Sequence, residues 1–253
     1  MHELLSNPTG KGSAYGSARF RIKEDLDKRY KNLIYKYKGF QYRVYKVKSS
    51  YFFHFKIPSE TYDNLEYDVI IEFYPEDEEA EKDKTINSYY VRVFSNSPAF
   101  MFTYTYVCYH NDLIPKSLIK FCSKIALKQA PNVRNPVQVY GYEKSVYFAC
   151  LYIISHDLFK KFEIEKNLFE YQKDTWSTTV RTQEAKFNEY NKCKKDAAAA
   201  KKKAKADRIK KLDAEINKRN KKKSTTKKKK SSSSSTKRKN KTSSSKSKSS
   251  TKK

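Results

Sequence analysis

Glycine is scarce in this sequence, with 5 in 253 residues, and three of those fall within residues 10–16. Tryptophan occurs once, and cysteine and histidine four times each. Cys108, Cys122, Cys150 and Cys193 are scattered without C-x-x-C spacing, which removes the usual zinc and dithiol motifs. Cys108 and Cys150 sit in apolar runs, where a free thiol packs as a small hydrophobe. His2, His54, His110 and His156 lie far apart and share no metal-ligand spacing, so no metal and no cofactor is expected. No apolar run approaches the ~18 residues of a membrane span. The first twenty residues lack the apolar core, about 7–15 residues long, of a secretory leader. These absences predict an intracellular, reduced protein with no membrane partner.

Charge is present in excess, but unevenly. Residues 191–253 hold 27 Lys+Arg against 4 Asp+Glu, a net of +23, whereas residues 1–190 hold 28 against 24, a net of +4. The aromatics divide the opposite way, because all 37 Phe, Tyr and Trp lie at or before Tyr190. A segment without aromatics and with high charge cannot bury enough apolar surface to offset the entropy of ordering. The front segment is large and apolar enough for one core.

Periodicity subdivides that front segment. Ile22, Leu26, Tyr30, Leu33, Ile34 and Tyr37 recur at helical spacing and stop at Gly39. Phe40 to Val47, Tyr51 to Ile57, Tyr67 to Tyr74, Tyr89 to Phe94 and Phe100 to Tyr109 then read as five strands of an antiparallel meander. Asp112 is placed as the cap of a helix through Leu127, and Asp157 as the cap of another through Phe169. Ser145 to Ile154 fits a strand or a buried helix equally, since periodicity does not decide at that length. From Ser177 to Asn220 there is no Pro or Gly, and Ala and Lys dominate, which predicts a helix. The expectation is an α+β fold: an antiparallel sheet of about five to six strands with packed helices, then a long C-terminal helix and a disordered basic tail. Its boundaries are a flexible arm over 1–20, a globular domain over 21–175, a basic helix over 176–220 and a Lys/Ser-rich tail over 221–253.

The strongest chemical signal is in that tail. Lys221, Lys222 and Lys223, then Lys227, Lys228, Lys229 and Lys230, then Lys237, Arg238 and Lys239 form cationic runs spaced by Ser and Thr. Such runs attract nucleic acid by releasing condensed counterions, with no shaped site. Lys greatly outnumbers Arg, and a point charge lacks the fork that reads base edges, so sequence-independent binding of DNA or RNA is expected. Gly10-Lys11-Gly12-Ser13 does not meet the phosphate-loop pattern and follows no strand. His54, between Phe53 and Phe55, is read as a partly buried structural histidine. Cys108 and His110 would share a strand face about 7 Å apart, too far for a nucleophile–base hydrogen bond. The acidic run Glu76 to Asp83 lacks calcium-loop spacing and is read as a solvated hairpin loop. Aromatics such as Tyr104 and Tyr106, placed on a strand, offer an alternative, stacking of single-stranded bases on the sheet.

Three stretches carry a resemblance: Asn7-Pro8-Thr9-Gly10-Lys11-Gly12-Ser13, Phe94-Ser95-Asn96-Ser97-Pro98-Ala99-Phe100-Met101-Phe102-Thr103-Tyr104, and Tyr142-Glu143-Lys144-Ser145-Val146-Tyr147-Phe148-Ala149-Cys150. They resemble uncharacterised small proteins of tailed bacteriophages with AT-rich genomes, over roughly residues 4–155. The resemblance transfers no catalytic motif. It implies a non-enzymatic virion or assembly role in the host cytoplasm or the particle, with residues 21–175 contacting virion or host proteins.

Overall fold

The computed structural model describes residues 16–75, 86, 89–132, 135, 138 and 143–230. It is an α+β fold built on a five-stranded sheet of order β4-β3-β2-β1-β5, in which β1 (Gln41–Val47), β2 (Ser50–Pro58), β3 (Glu66–Pro75) and β4 (Tyr89–Ser95) form an antiparallel meander. The fifth strand, β5 (Leu168–Phe169), pairs parallel to β1 and makes the sheet mixed. The meander was legible because its four runs are rich in β-branched and aromatic residues and broken by turn residues. In β2 the five residues Tyr51 to Phe55 are all buried. Both faces of that strand are therefore covered, which is why the run shows no alternation of apolar and polar residues.

One face packs on helices. Helix α1 (Gly16–Tyr37) begins inside the segment expected to be a flexible arm, and α5 (Lys144–Ser155) supplies most of this cover. Phe55 meets Tyr152 at a centroid distance of 6.0 Å, and Phe159 gathers Phe53, Phe73 and Tyr89 at 6.1, 4.7 and 5.0 Å. Tyr30 of α1 meets Phe148 of α5 at 6.0 Å. Glu60, after β2, ties these elements together: it accepts from Arg29 Nε and Nη2 at 2.8 and 2.7 Å and from Lys144. Burial disfavours its charge, but the two cations more than offset that and hold its carboxyl below the ordinary value.

The opposite face carries the single tryptophan. Trp176 lies on α7 (Thr175–Thr179), with ring centroids 5.1 Å from Tyr45 and 5.6 Å from Phe52. Trp176, Val180, Gln183 and Lys186 are all buried, so the domain continues past residue 175. The long helix α8 runs Gln183–Lys230. It starts later than residue 176 and continues ten residues beyond Asn220, so Lys221 to Lys230, expected as disordered tail, are helical. Ala and Lys have high helix propensity, and no Pro or Gly intervenes to stop the helix.

Three sequence expectations are corrected, and one left open is decided. Phe100 to Tyr109 is not a fifth strand but two short helices, α2 (Pro98–Thr103) and α3 (Thr105–His110). Ser97 caps α2, its Oγ accepting from Phe100 N at 3.1 Å, and Pro98 occupies the first helical turn. That Ser-Pro pair is a helix-start signal, and it outweighed the β propensity of the aromatics that follow. The helix expected through Leu127 is instead a 3₁₀ helix (Lys116–Phe121) and α4 (Lys124–Lys128), with Ser123 rather than Asp112 as the cap of α4. The helix expected from Asp157 to Phe169 is the short α6 (Lys161–Lys166) followed by β5. The undecided run Ser145 to Ile154 is helical, inside α5 and capped by Glu143, whose carboxylate accepts from Ser145 N at 2.9 Å.

Asp112 and Asp157 close preceding helices instead of opening new ones. Both have left-handed backbone, with φ of 53° and 51°, as does Lys38 at 56°. In each case the next residue's N–H reaches back five residues: Gly39 to Ile34 O, Leu113 to Cys108 O and Leu158 to Ile153 O, at 3.2, 2.8 and 3.0 Å. This is the Schellman closure, usually built on glycine. Here glycine is scarce, and Lys and Asp take the position. Gly39 follows Lys38 at φ 111°, and a Cβ there would lie 3.0 Å from the Tyr152 hydroxyl, so that glycine has a double reason.

Candidate nucleic-acid interface

The chain divides into two units, Met1–Asp196 and Ala197–Lys253. The second carries 24 Lys+Arg against 3 Asp+Glu, and the first 31 against 25. Within the second unit every residue from Ala198 to Arg219 is exposed. Lys201, Lys202, Lys203, Lys205, Arg208, Lys210, Lys211, Lys218 and Arg219 are thus solvent-facing cations on one helix. Successive residues turn by about 100°, so these charges surround the helix instead of forming one stripe. They were not among the residues singled out from the sequence, although the same charge density marks them. Of those that were, Lys221, Lys222, Lys223, Lys227, Lys228, Lys229 and Lys230 lie on α8, continuous with this cationic stretch. Lys237, Arg238 and Lys239 lie outside the described residues, as do the Gly10–Ser13 segment and the acidic run Glu76 to Asp83.

The first unit holds the other polar cluster. Asp68 on β3 is buried and accepts from His54 Nε2 at 2.8 Å, from Lys56 Nζ at 2.5 Å and from Asn96 Nδ2 at 2.6 Å. Asn96 Oδ1 in turn accepts from Asp68 N at 2.8 Å, and Asn96 Nδ2 also donates to Arg181 O at 3.2 Å. Gln183 extends the tie, donating to Ser95 O and Thr105 Oγ1, both at 2.9 Å, and accepting from Ser123 N at 2.9 Å. Sheet, α3, α4 and the start of α8 are thereby sutured through fully partnered buried polar groups. His54 is buried beneath Trp176, with ring centroids 6.1 Å apart, and serves this suture.

Burial works against the Asp68 carboxylate, yet its bonds to His54 and Lys56 prevail and hold its pKa down at about 2, against an ordinary 3.8. Because the folded value lies below the unfolded one, the stabilisation is complete above about pH 4 and is lost as pH falls through 2. It amounts to about 2 kcal/mol at neutral pH. Urea melts between pH 5 and pH 2 are expected to show wild type losing about that much more stability than Asp68→Asn. Parallel pH profiles for the two proteins would remove the carboxylate from this role.

Catalytic candidates are not brought together. Cys108 and His110 are two residues apart on α3, where that spacing turns them to opposite sides; the thiol is buried and the histidine exposed. Burial pushes the Cys108, Cys122 and Cys150 thiols up to about 12, so at neutral pH they are protonated and poor nucleophiles. Tyr104 and Tyr106 lie on or between helices, not on a sheet face, and Tyr104 is part of the core. A polar cleft of about 760 Å³ is lined by the cations Lys56, Arg181 and Lys186 and the carboxylates of Asp63, Glu66, Asp68 and Glu189, so its charges nearly balance, with one carboxylate in excess. Among the described residues no three His, Cys, Asp or Glu side chains come together as a metal-ligand group, and no helix is long and apolar enough to cross a membrane. Compared with protein-family models, curated proteins and solved structures, the chain matches none.

Proposed function

We propose that this chain is a non-enzymatic, polyanion-binding protein whose C-terminal arm takes nucleic acid by its phosphates, without reading sequence, while the domain contacts other proteins. The observation that carries this reading is the exposed cationic helix from Ala198 to Arg219, charged on all sides and continued by further lysines. A chain segment with this excess of positive charge draws phosphates through counterion release. The domain, with few uncompensated cations, gives phosphates little reason to approach. The phage resemblance extends the proposal to a genome-associated or structural protein of a tailed phage, working in the host cytoplasm or the virion.

Anisotropy titration of fluorescent DNA and RNA tests the core of the reading. The full chain is expected to bind both, and a chain ending at Asp196 to lose at least about a hundredfold in affinity, because most phosphate contacts go with the arm. Undiminished binding by the shortened chain would place the contact on the domain and defeat the proposal. Co-sedimentation with particles then separates a virion component from a free factor.

A further inference from the structure

The exposed stretch Ala198 to Arg219 contains three large apolar residues, and they are not scattered. Ile209, Leu212 and Ile216 are 50%, 51% and 54% exposed, at spacings of three and four, so they form one stripe. Nothing among the described residues of their own unit covers it. In heptad terms Ile209 and Ile216 occupy a and Leu212 occupies d. Ile at a with Leu at d is the combination that favours parallel two-stranded coiled coils. The flanking charges agree with a second copy as the occupant. Arg208 falls at g and Asp213 at e, the positions that face each other between parallel helices in register. Such a pairing would set Arg208 of one copy against Asp213 of the other, and symmetry would supply the reciprocal pair.

We propose that α8 pairs with α8 of a second copy of this chain as a short parallel coiled coil centred on Leu212, flanked by two Arg208–Asp213 pairs. The seam is bounded by like charges, since Lys202 and Lys205 precede it at a and d and Arg219 follows at d. These repel between copies, and salt screens them, the Debye length falling from about 10 Å at 0.1 M to about 3 Å at 1 M. Self-association therefore strengthens as salt rises, opposite to phosphate binding. This inference does not depend on the arm binding nucleic acid.

Sedimentation equilibrium of the full chain without nucleic acid tests it. The mass is expected to rise from the monomer value of 29.8 kDa toward twice that between about 0.1 M and 1 M salt. Leu212→Glu is expected to keep the monomer mass at both. Position 212 is exposed on a helix, and unchanged far-UV circular dichroism would exclude unfolding as the cause. A chain that stays monomeric at high salt and at its highest soluble concentration overturns the proposal, as does a dimer that survives Leu212→Glu. Orientation is read by a Lys205→Cys, Cys193→Ser variant. Parallel helices in register hold the two introduced thiols side by side, and oxidation links them. An antiparallel pair about Leu212 separates them by about 20 Å along the axis. A dimer that fails to cross-link there overturns the parallel arrangement.

Discussion

Raising salt from about 50 mM to about 200 mM is expected to weaken binding of the full chain to duplex DNA by about 100,000-fold, for an arm that neutralises about ten phosphates. Each neutralised phosphate releases condensed counterions, and that entropy shrinks as bulk salt rises. Log affinity then falls against log salt with a slope near −9 for duplex and near −7 for single strands. Ten contacts are well within the supply, since residues 197–253 carry 24 Lys and Arg, nine of them between Lys201 and Arg219. The same titration on two unrelated sequences is expected to give superimposable lines. A preference above about tenfold for one sequence, persisting in high salt, would require base-edge contacts, which lysine point charges do not supply. The main contact would then be elsewhere.

Trp176→Ala is expected to destabilise the domain by about 3–5 kcal/mol, the usual cost of truncating a buried aromatic to alanine. Its ring is 2% exposed and packs against Tyr45, Phe52 and His54 on the second sheet face. Removing it leaves a cavity and opens the Asp68 cluster to water. Against a typical total of about 5–15 kcal/mol, the loss is roughly a fifth or more. Urea unfolding followed by circular dichroism measures it, since the variant has no tryptophan to report. A shift below about 1 kcal/mol would mean that the segment after residue 175 merely rests on the fold.

Particular residues explain what the sequence could and could not disclose. The four meander strands were legible because their side-chain types and turn residues are local signals. The arm was legible because net charge needs no tertiary information. Phe100 to Tyr109 was misread because aromatic density imitates a strand, while the decisive signal, Ser97-Pro98, is only two residues long. The Asp68 suture was invisible for a different reason. His54, Asp68, Asn96 and Arg181 are brought together by strand register, which pairs His54 with Ile70 and Val69 with Ser95. No local pattern states that pairing. Gln183 and Lys186 fall in the run read from sequence simply as a basic helix, and only the packed structure makes these two polar residues interior. Cationic residues 201–219 are legible as charge but less plainly as a site, because Ala, Ile, Leu, Asp and Glu interrupt them where the later lysine runs are unbroken.

The left-handed helix ends at Lys38, Asp112 and Asp157 leave this fold with thermodynamic headroom. A side chain in that conformation costs roughly 1–2 kcal/mol relative to glycine. Asp112 recovers part of this through its bond to Arg92, and Asp157 through its ion pair with Lys160 at 2.6 Å. Lys38 is exposed and forms no such ion pair among the described residues. The protein therefore sits below its own stability ceiling at a known address. A hardened variant for structural work is accessible at the end of α1 without touching the core, the polar suture or the cationic arm.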